Sequence, residues 1–185
     1  MKLFFDIETF ADNELDVLVS KWNPETRCLE KKYRPNPLKE KIICISVITE
    51  NGVVKSFARS NEKIILEEFW KYIDRLLEVE LIGFNCYSFD YRYLVVRSWV
   101  NSVTIEKYNL TVTDLRIVLN GEDKFAPGTL ADFAKALCYE IKTSNGSTMR
   151  EKYLACNWEP IIQHCEEDCY ICKLIYEKAK ECQIL

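Results

Sequence analysis

The hexapeptide "FFDIET", residues 4–9, sets two carboxylates into an otherwise apolar segment near the start of the chain. With its neighbours it reads "KLFFDIE", which predicts a strand, and alternate residues of a strand point to the same face. Asp6 and Glu8 are therefore expected side by side at the edge of a buried element. Adjacent carboxylates repel one another, and loss of water strengthens the repulsion. A strand of this kind calls for a cation between its acids, and other segments must complete the site.

At 185 residues the chain is long enough to bury a core, and one domain over residues 1–185 is expected. With 48% hydrophobic and 29% charged residues, the balance is that of a soluble globular protein. No apolar run approaches the roughly 20 residues that span a bilayer, so no membrane association is expected. "MKLFFDIETF" is broken by acids and does not read as a signal peptide, which makes a cytoplasmic location the expectation. Nine cysteines are scattered through apparent strands and helices rather than spaced as a secreted scaffold, and most read as small core residues.

The formal charge of −4 does not advertise a nucleic-acid binder, but the charge is uneven. Residues 21–41, "KWNPETRCLEKKYRPNPLKEK", hold seven Lys/Arg against three Glu. That stretch reads either as an ordered loop touching phosphates or as a solvated loop of mixed charge.

Beyond the first strand, "KIICISVIT" and "VVKSFA" predict a hairpin turned at Asn51-Gly52. Residues 61–78 place apolar side chains at 65, 66, 69, 73, 76 and 77, the spacing of a helix capped by Asn61. "VELIGFN" predicts a short buried strand and "FDYRYLVVRSWV" a helix. "TLADFAKAL" and the segment from Glu159 to Lys180 also read as helices, whereas "TVTDLRIVL" is ambiguous. Strands followed by mixed strands and helices predict an α/β fold with a central mixed sheet flanked by helices.

Two further segments offer acids. "LIGFNCYSFDYRYL" ends an apolar strand and places Asp90 at the start of a helix, where the dipole favours a carboxylate. In "IIQHCEEDCYICKL", His164 and Asp168 lie four apart, on one helical face. Oxygen ligands from three segments suit Mg²⁺ or Mn²⁺ rather than a thiophilic metal. Two such ions can drive phosphodiester hydrolysis, and a cation lying between Asp6 and Glu8 makes their proximity tolerable.

In order and spacing, "FDIET", "GFNCYSFD" and "HCEED" resemble the three motifs of the DEDD (DnaQ-like) 3′–5′ exonucleases, which have a ribonuclease-H-like fold. The middle motif is most similar to that of the proofreading domain of family B DNA polymerases, and the resemblance runs from Phe4 to about Lys178. "TLADFAKAL" resembles the helix that precedes the third motif in that group. The resemblance leaves no room for a polymerase and implies a stand-alone exonuclease domain. It implies that Asp6, Glu8, Asp90 and Asp168 hold two Mg²⁺ or Mn²⁺ ions and that His164 serves as the general base. The implied reaction releases nucleoside monophosphates from a free 3′ end, with single-stranded DNA favoured as substrate and RNA open. Thr9, Phe10, Asn85 and Tyr87 are candidate contacts to the terminal nucleotide, since bases stack on aromatic rings.

The family places Tyr four residues, or His five residues, before its last acid; this chain has His164 four before Asp168. That departure leaves two alternatives on the same fold, a weakly active or inactive nucleic-acid-binding module and a structure-selective endonuclease. Asp114, Glu166 and Glu167 read either as groups supporting the site acids or, more simply, as capping or solvated acids. Cys165, Cys169 and Cys172 match a cluster-binding spacing, but at helical positions they read as a core stripe that continues to Tyr176 and Ala179.

Overall fold

A computed structural model describes residues 1–13, 17–25, 27–107, 110–121, 123, 127–141 and 149–185. In chain order its strands are β1 (Lys2–Ala11), β2 (Leu18–Asn23), β3 (Cys28–Tyr33), β4 (Glu40–Thr49), β5 (Val54–Ala58), β6 (Glu80–Gly83) and β7 (Thr111–Asp114). The helices are α1 (Glu62–Asp74), α2 (Asp90–Val100), α3 (Leu115–Leu119), α4 (Leu130–Ala136), α5 (Met149–Leu154) and α6 (Glu159–Glu181).

Five strands form one sheet in the order β5-β4-β1-β6-β7. β4 runs antiparallel to both β1 and β5, whereas β6 and β7 run parallel to β1 and to each other in register. The expected α/β architecture, a central mixed sheet flanked by helices, is the one observed. Gly52, at φ +82°, closes the β4–β5 hairpin at the predicted turn.

Alternation along β1 divides the core. Leu3, Phe5 and Ile7 pack with Ile65, Leu66, Phe69 and Trp70 of α1 and Tyr93 of α2 on one face of the sheet. Phe4 points the other way, onto Ile171, Cys172, Ile175 and Tyr176 of α6. Asp6 and Glu8 share the parity of Phe4, so the acids face α6. The cysteine stripe of α6 is buried as the sequence predicts. Its small side chains let the helix approach the sheet, where Cys165 Sγ donates to the Asp6 carbonyl at 3.3 Å and Cys169 Sγ to that of Ser46 at 3.2 Å. No disulfide forms among the described residues.

Buried Glu62 joins α1 to α2 and β4. Its carboxylate accepts from Arg97 Nε at 2.8 Å and Nη2 at 2.6 Å, from Asn101 Nδ2 at 2.8 Å and from the Ile42 N–H at 2.6 Å. Removing one partner of a buried ion pair strands the other. Glu62→Ala is expected to lower the unfolding free energy by about 3–5 kcal/mol in urea titrations; a loss under about 1 kcal/mol would contradict this role.

Three expectations are corrected and one open reading is resolved. The basic stretch 21–41 is not a loop: most of it belongs to an antiparallel hairpin, β2–β3, separate from the main sheet. Residue 26 of that stretch lies outside the described residues. α1 stops at Asp74, so Leu77 lies outside the helix and is 98% exposed. The ambiguous segment splits into β7 and α3, with Asp114 capping the helix through the Arg116 N–H. Finally, α5 stands between α4 and the third motif.

Candidate active site

The site forms where β6 ends before β1 does. Pairing of β1 with β6 stops at Phe4↔Ile82, and the Ile7 N–H, farther along β1, is given to Asp90 Oδ1 at 3.2 Å. Asp90 is the first residue of α2 and is 3% exposed, so its carboxylate is fixed against the strand that carries Asp6 and Glu8. Between Glu8 and Thr9 the β1–β4 register shifts by one residue, a bulge of the kind that re-aims side chains beside active sites.

The turn from β6 to Asp90 is held tightly. At Gly83 a Cβ would come within 2.7 Å of Cys86 Cβ, so a side chain there would displace the turn. Asn85 follows at φ +59°, a conformation that Asn tolerates better than most residues. Buried Asp114 accepts from the N–H groups of Asn85 at 2.8 Å and Tyr87 at 3.1 Å, as well as from that of Arg116 at 3.1 Å. Arg116 Nη1 in turn donates to Asn85 Oδ1 at 2.8 Å. Asp114, read in the sequence as a capping acid, thus also positions the turn that delivers Asp90.

From α6, His164 and Asp168 complete the group. His164 is 9% exposed, and its Nε2 lies 3.6 Å from Glu8 Oε1. Burial, and then the positive charge of Lys152 on α5, push the imidazole below its ordinary pKa despite Glu167. Burial also drives the Glu8 carboxyl well above the usual range, reinforced by Asp168 and Asp90. Both shifts favour neutral groups, so the 3.6 Å contact is not a fixed ion pair.

Asp6 is likewise pushed well up, by burial and then by Asp90, Asp168 and Glu8. Burial raises Asp90 to about 7, with Asp168 adding to it and the Ile7 hydrogen bond opposing it. Burial, with Glu167 beside it, raises Asp168 to about 7 as well. The four carboxylates therefore act on one another as a single electrostatic group. No three His, Cys, Asp or Glu side chains among the described residues form a ready-made metal-binding set. The donor chemistry nonetheless fits a hard divalent ion: every candidate ligand atom is a carboxylate oxygen, and a cation would relieve the repulsion that raises these pKa values.

Two cavities flank the acids. One of about 330 Å³ is lined by Asp6, Asn85, Phe89, Asp90, Arg116 and Asp168, and by the start of α4. The other, about 580 Å³, is lined by Glu8, Thr9, Phe10, Tyr33, Glu40, Phe89 and neighbours. Phe89 borders both. A cavity of about 700 Å³ beside Met1, Lys2 and Glu80 lies at the opposite end of β1, remote from the acids.

The structure thus gathers Asp6, Glu8, Asp90, His164 and Asp168 at one end of the sheet. Of the candidate nucleotide contacts, Asn85 lines the smaller cavity, while Thr9 and Phe10 line the larger. Phe10 is 5% exposed and stacks on Tyr153 at 4.3 Å. Tyr87 lines neither cavity; its hydroxyl donates to the Val112 carbonyl at 2.8 Å.

Sequence reasoning missed two residues. Arg116 is a cation among three acids in the smaller cavity, and its one sequence signal was its place just after Asp114. Glu40, counted only as a charge in the basic stretch, is buried and accepts from Tyr33 Oη, Tyr93 Oη, Thr9 Oγ1 at 3.3 Å and the Asn36 N–H at 2.7 Å.

A family model described as "Predicted 3'-5' exonuclease related to the exonuclease domain of PolB" matches residues 31–125, a span that includes Asp90 and Arg116. Among solved structures, the chain is similar to the family B DNA polymerase from the hyperthermophilic archaeon Pyrobaculum calidifontis, with TM-score 0.68 and 16% identity. The match covers 99% of this chain and 25% of the polymerase, and at that identity the likeness is one of fold. No curated protein matches the chain.

Proposed function

The chain belongs to the family of predicted 3′–5′ exonucleases related to the exonuclease domain of PolB, and from that premise we propose that it is a metal-dependent exonuclease domain spanning residues 1–185. Its substrate is a polynucleotide with a free 3′ end, single-stranded DNA first, and its products are nucleoside monophosphates. The observation that carries this reading is the convergence of four carboxylates, from β1, α2 and α6, with the His164 imidazole beside the two cavities at one end of the sheet.

Asp6, Glu8, Asp90 and Asp168 would hold two Mg²⁺ or Mn²⁺ ions. Such ions, when bound, make water more acidic and offset charge on the leaving oxygen. His164 is buried and held toward its neutral form, so it can accept the proton of an attacking water near neutral pH. Arg116, in the cavity shared by Asp6, Asp90 and Asp168, is placed to meet a phosphate oxygen. Phe89, at the junction of the two cavities, gives a terminal base an apolar wall.

The test is digestion of 5′-labelled single-stranded DNA and RNA with Mn²⁺, Mg²⁺ or EDTA. A metal-dependent ladder shortening from the 3′ end, with mononucleotides as product, is expected. Internal cuts would point to an endonuclease. No cleavage of either polymer would leave a binding module.

A further inference from the structure

We propose that the β2–β3 hairpin is a guide arm that holds the single-stranded polynucleotide on its way to the acidic site. The inference deepens the exonuclease reading and rests on it for the identity of the strand end being cut.

An isolated two-stranded hairpin is marginal in water. This one is tied down at its base, where the Arg34 N–H donates to the Val17 carbonyl at 2.7 Å and Tyr33 Oη bonds to Glu40. Beyond that base it leaves both faces largely exposed. Its register pairs Leu18 with Tyr33, Ser20 with Lys31 and Trp22 with Leu29, and alternation puts these six side chains on one face. Leu18 and Tyr33 line the 580 Å³ cavity that contains Glu8. The face therefore starts at the site and runs out about 14 Å to the tip. At the tip, Trp22 is 57% exposed and Leu29 68%.

Charge decides what such a face suits. Residues 18–34 carry five Lys/Arg against two Glu, a net of +3 on a chain whose total is −4. An apolar face ringed by uncharged residues would suit a protein. On this face Lys31 stands between Trp22 near the tip and Tyr33 at the base, with the remaining cations on the other face, in the turn and at the base. Rings with a cation between them bind single strands by base stacking and phosphate contact. Continuity with the cavity beside Glu8 then makes the occupant the strand whose end is cut.

The test uses 5′-fluorescein dT20 and rU20, with binding followed by anisotropy in EDTA so that no cleavage is required. Trp22→Ala is expected to weaken binding of the preferred polymer about tenfold. Lys31→Ala is expected to reduce the slope of log K against log salt by about one. Lys63→Ala, on the exposed side of α1, serves as the control and should bind as wild type. With Mn²⁺, kcat/KM for the polymer relative to that for thymidine 5′-(p-nitrophenyl phosphate), which fills only the cut site, should fall about tenfold in Trp22→Ala. Unchanged polymer binding in both hairpin variants, or wild type that binds neither polymer, would overturn the arm and favour a protein partner for this face. Equal losses on polymer and ester would also overturn it. If wild type hydrolyses neither substrate yet the Trp22 and Lys31 effects on binding appear, the arm stands and the exonuclease reading falls.

Discussion

Asp168→Asn is expected to reduce exonuclease rate with Mn²⁺ on the order of a thousandfold and, in the same protein, to raise the melting temperature without metal at pH 8. Both effects come from one feature, a carboxylate kept in a buried group of like charges. The carboxyl of Asp168 is raised to about 7 by burial and by Glu167, so at pH 8 its charge opposes folding. An amide of nearly the same shape removes that charge. In a chain of this size each kcal/mol recovered is worth roughly 2–4 °C. On the proposed two-ion mechanism the lost activity is that of a missing metal ligand, worth several kcal/mol of transition-state stabilisation at about 1.4 kcal/mol per tenfold. Stability gained where function is lost is the general trade-off of strained active sites. Calorimetry of the two proteins at pH 8 with EDTA decides the stability half; a variant that melts lower would mean that Asp168 is held by favourable partners.

Metal-free wild type should itself become less stable as pH rises from about 4 to about 7. Asp90 and Asp168 keep their protons to about pH 7 when folded, whereas an unfolded Asp releases its proton near 4. Across that window the native state binds more protons than the unfolded chain, so unfolding free energy falls with pH. The stability these groups contribute is fully present below pH 4 and is lost as pH passes through about 7. Taken alone, each carboxylate contributes on the order of a few kcal/mol, and the remaining ionisable groups add their own trend. The diagnostic quantity is therefore the difference made by metal. Mn²⁺ should raise the melting temperature at pH 8 and do so much less at pH 5, because protons compete with the ion for the same oxygens. Equal stabilisation at both pH values would contradict the assignment.

What could be read in advance was what the strand and helix periods write into the sequence. Asp6 and Glu8 were legible because Leu3, Phe5 and Ile7 alternate with Phe4 along β1, so that facing follows from parity. His164 and Asp168 were legible because they lie four apart in the third motif, on one face of the helix α6. The β2–β3 hairpin was not, since neither of its faces is buried and no apolar alternation marks its strands. The end of α1 was misplaced because Leu76 and Leu77 keep the helical spacing, while the chain must turn to reach β6 at Glu80. Glu40 and Arg116 escaped for another reason. Their partners Tyr93 and Asn85 lie 53 and 31 residues away, and only the folded sheet brings them together. Local pattern gives the faces of elements; it does not give the contacts at their ends, where this site is built.

The claim that the carboxylates form one divalent-cation site is tested most directly by crystals grown with Mn²⁺ and measured for anomalous scattering. Two peaks among Asp6, Glu8, Asp90 and Asp168, both absent from crystals of Asp168→Asn or reduced there to one, are the predicted result. Density for the four side chains with no Mn²⁺ between them, or Mn²⁺ bound only elsewhere, would contradict it.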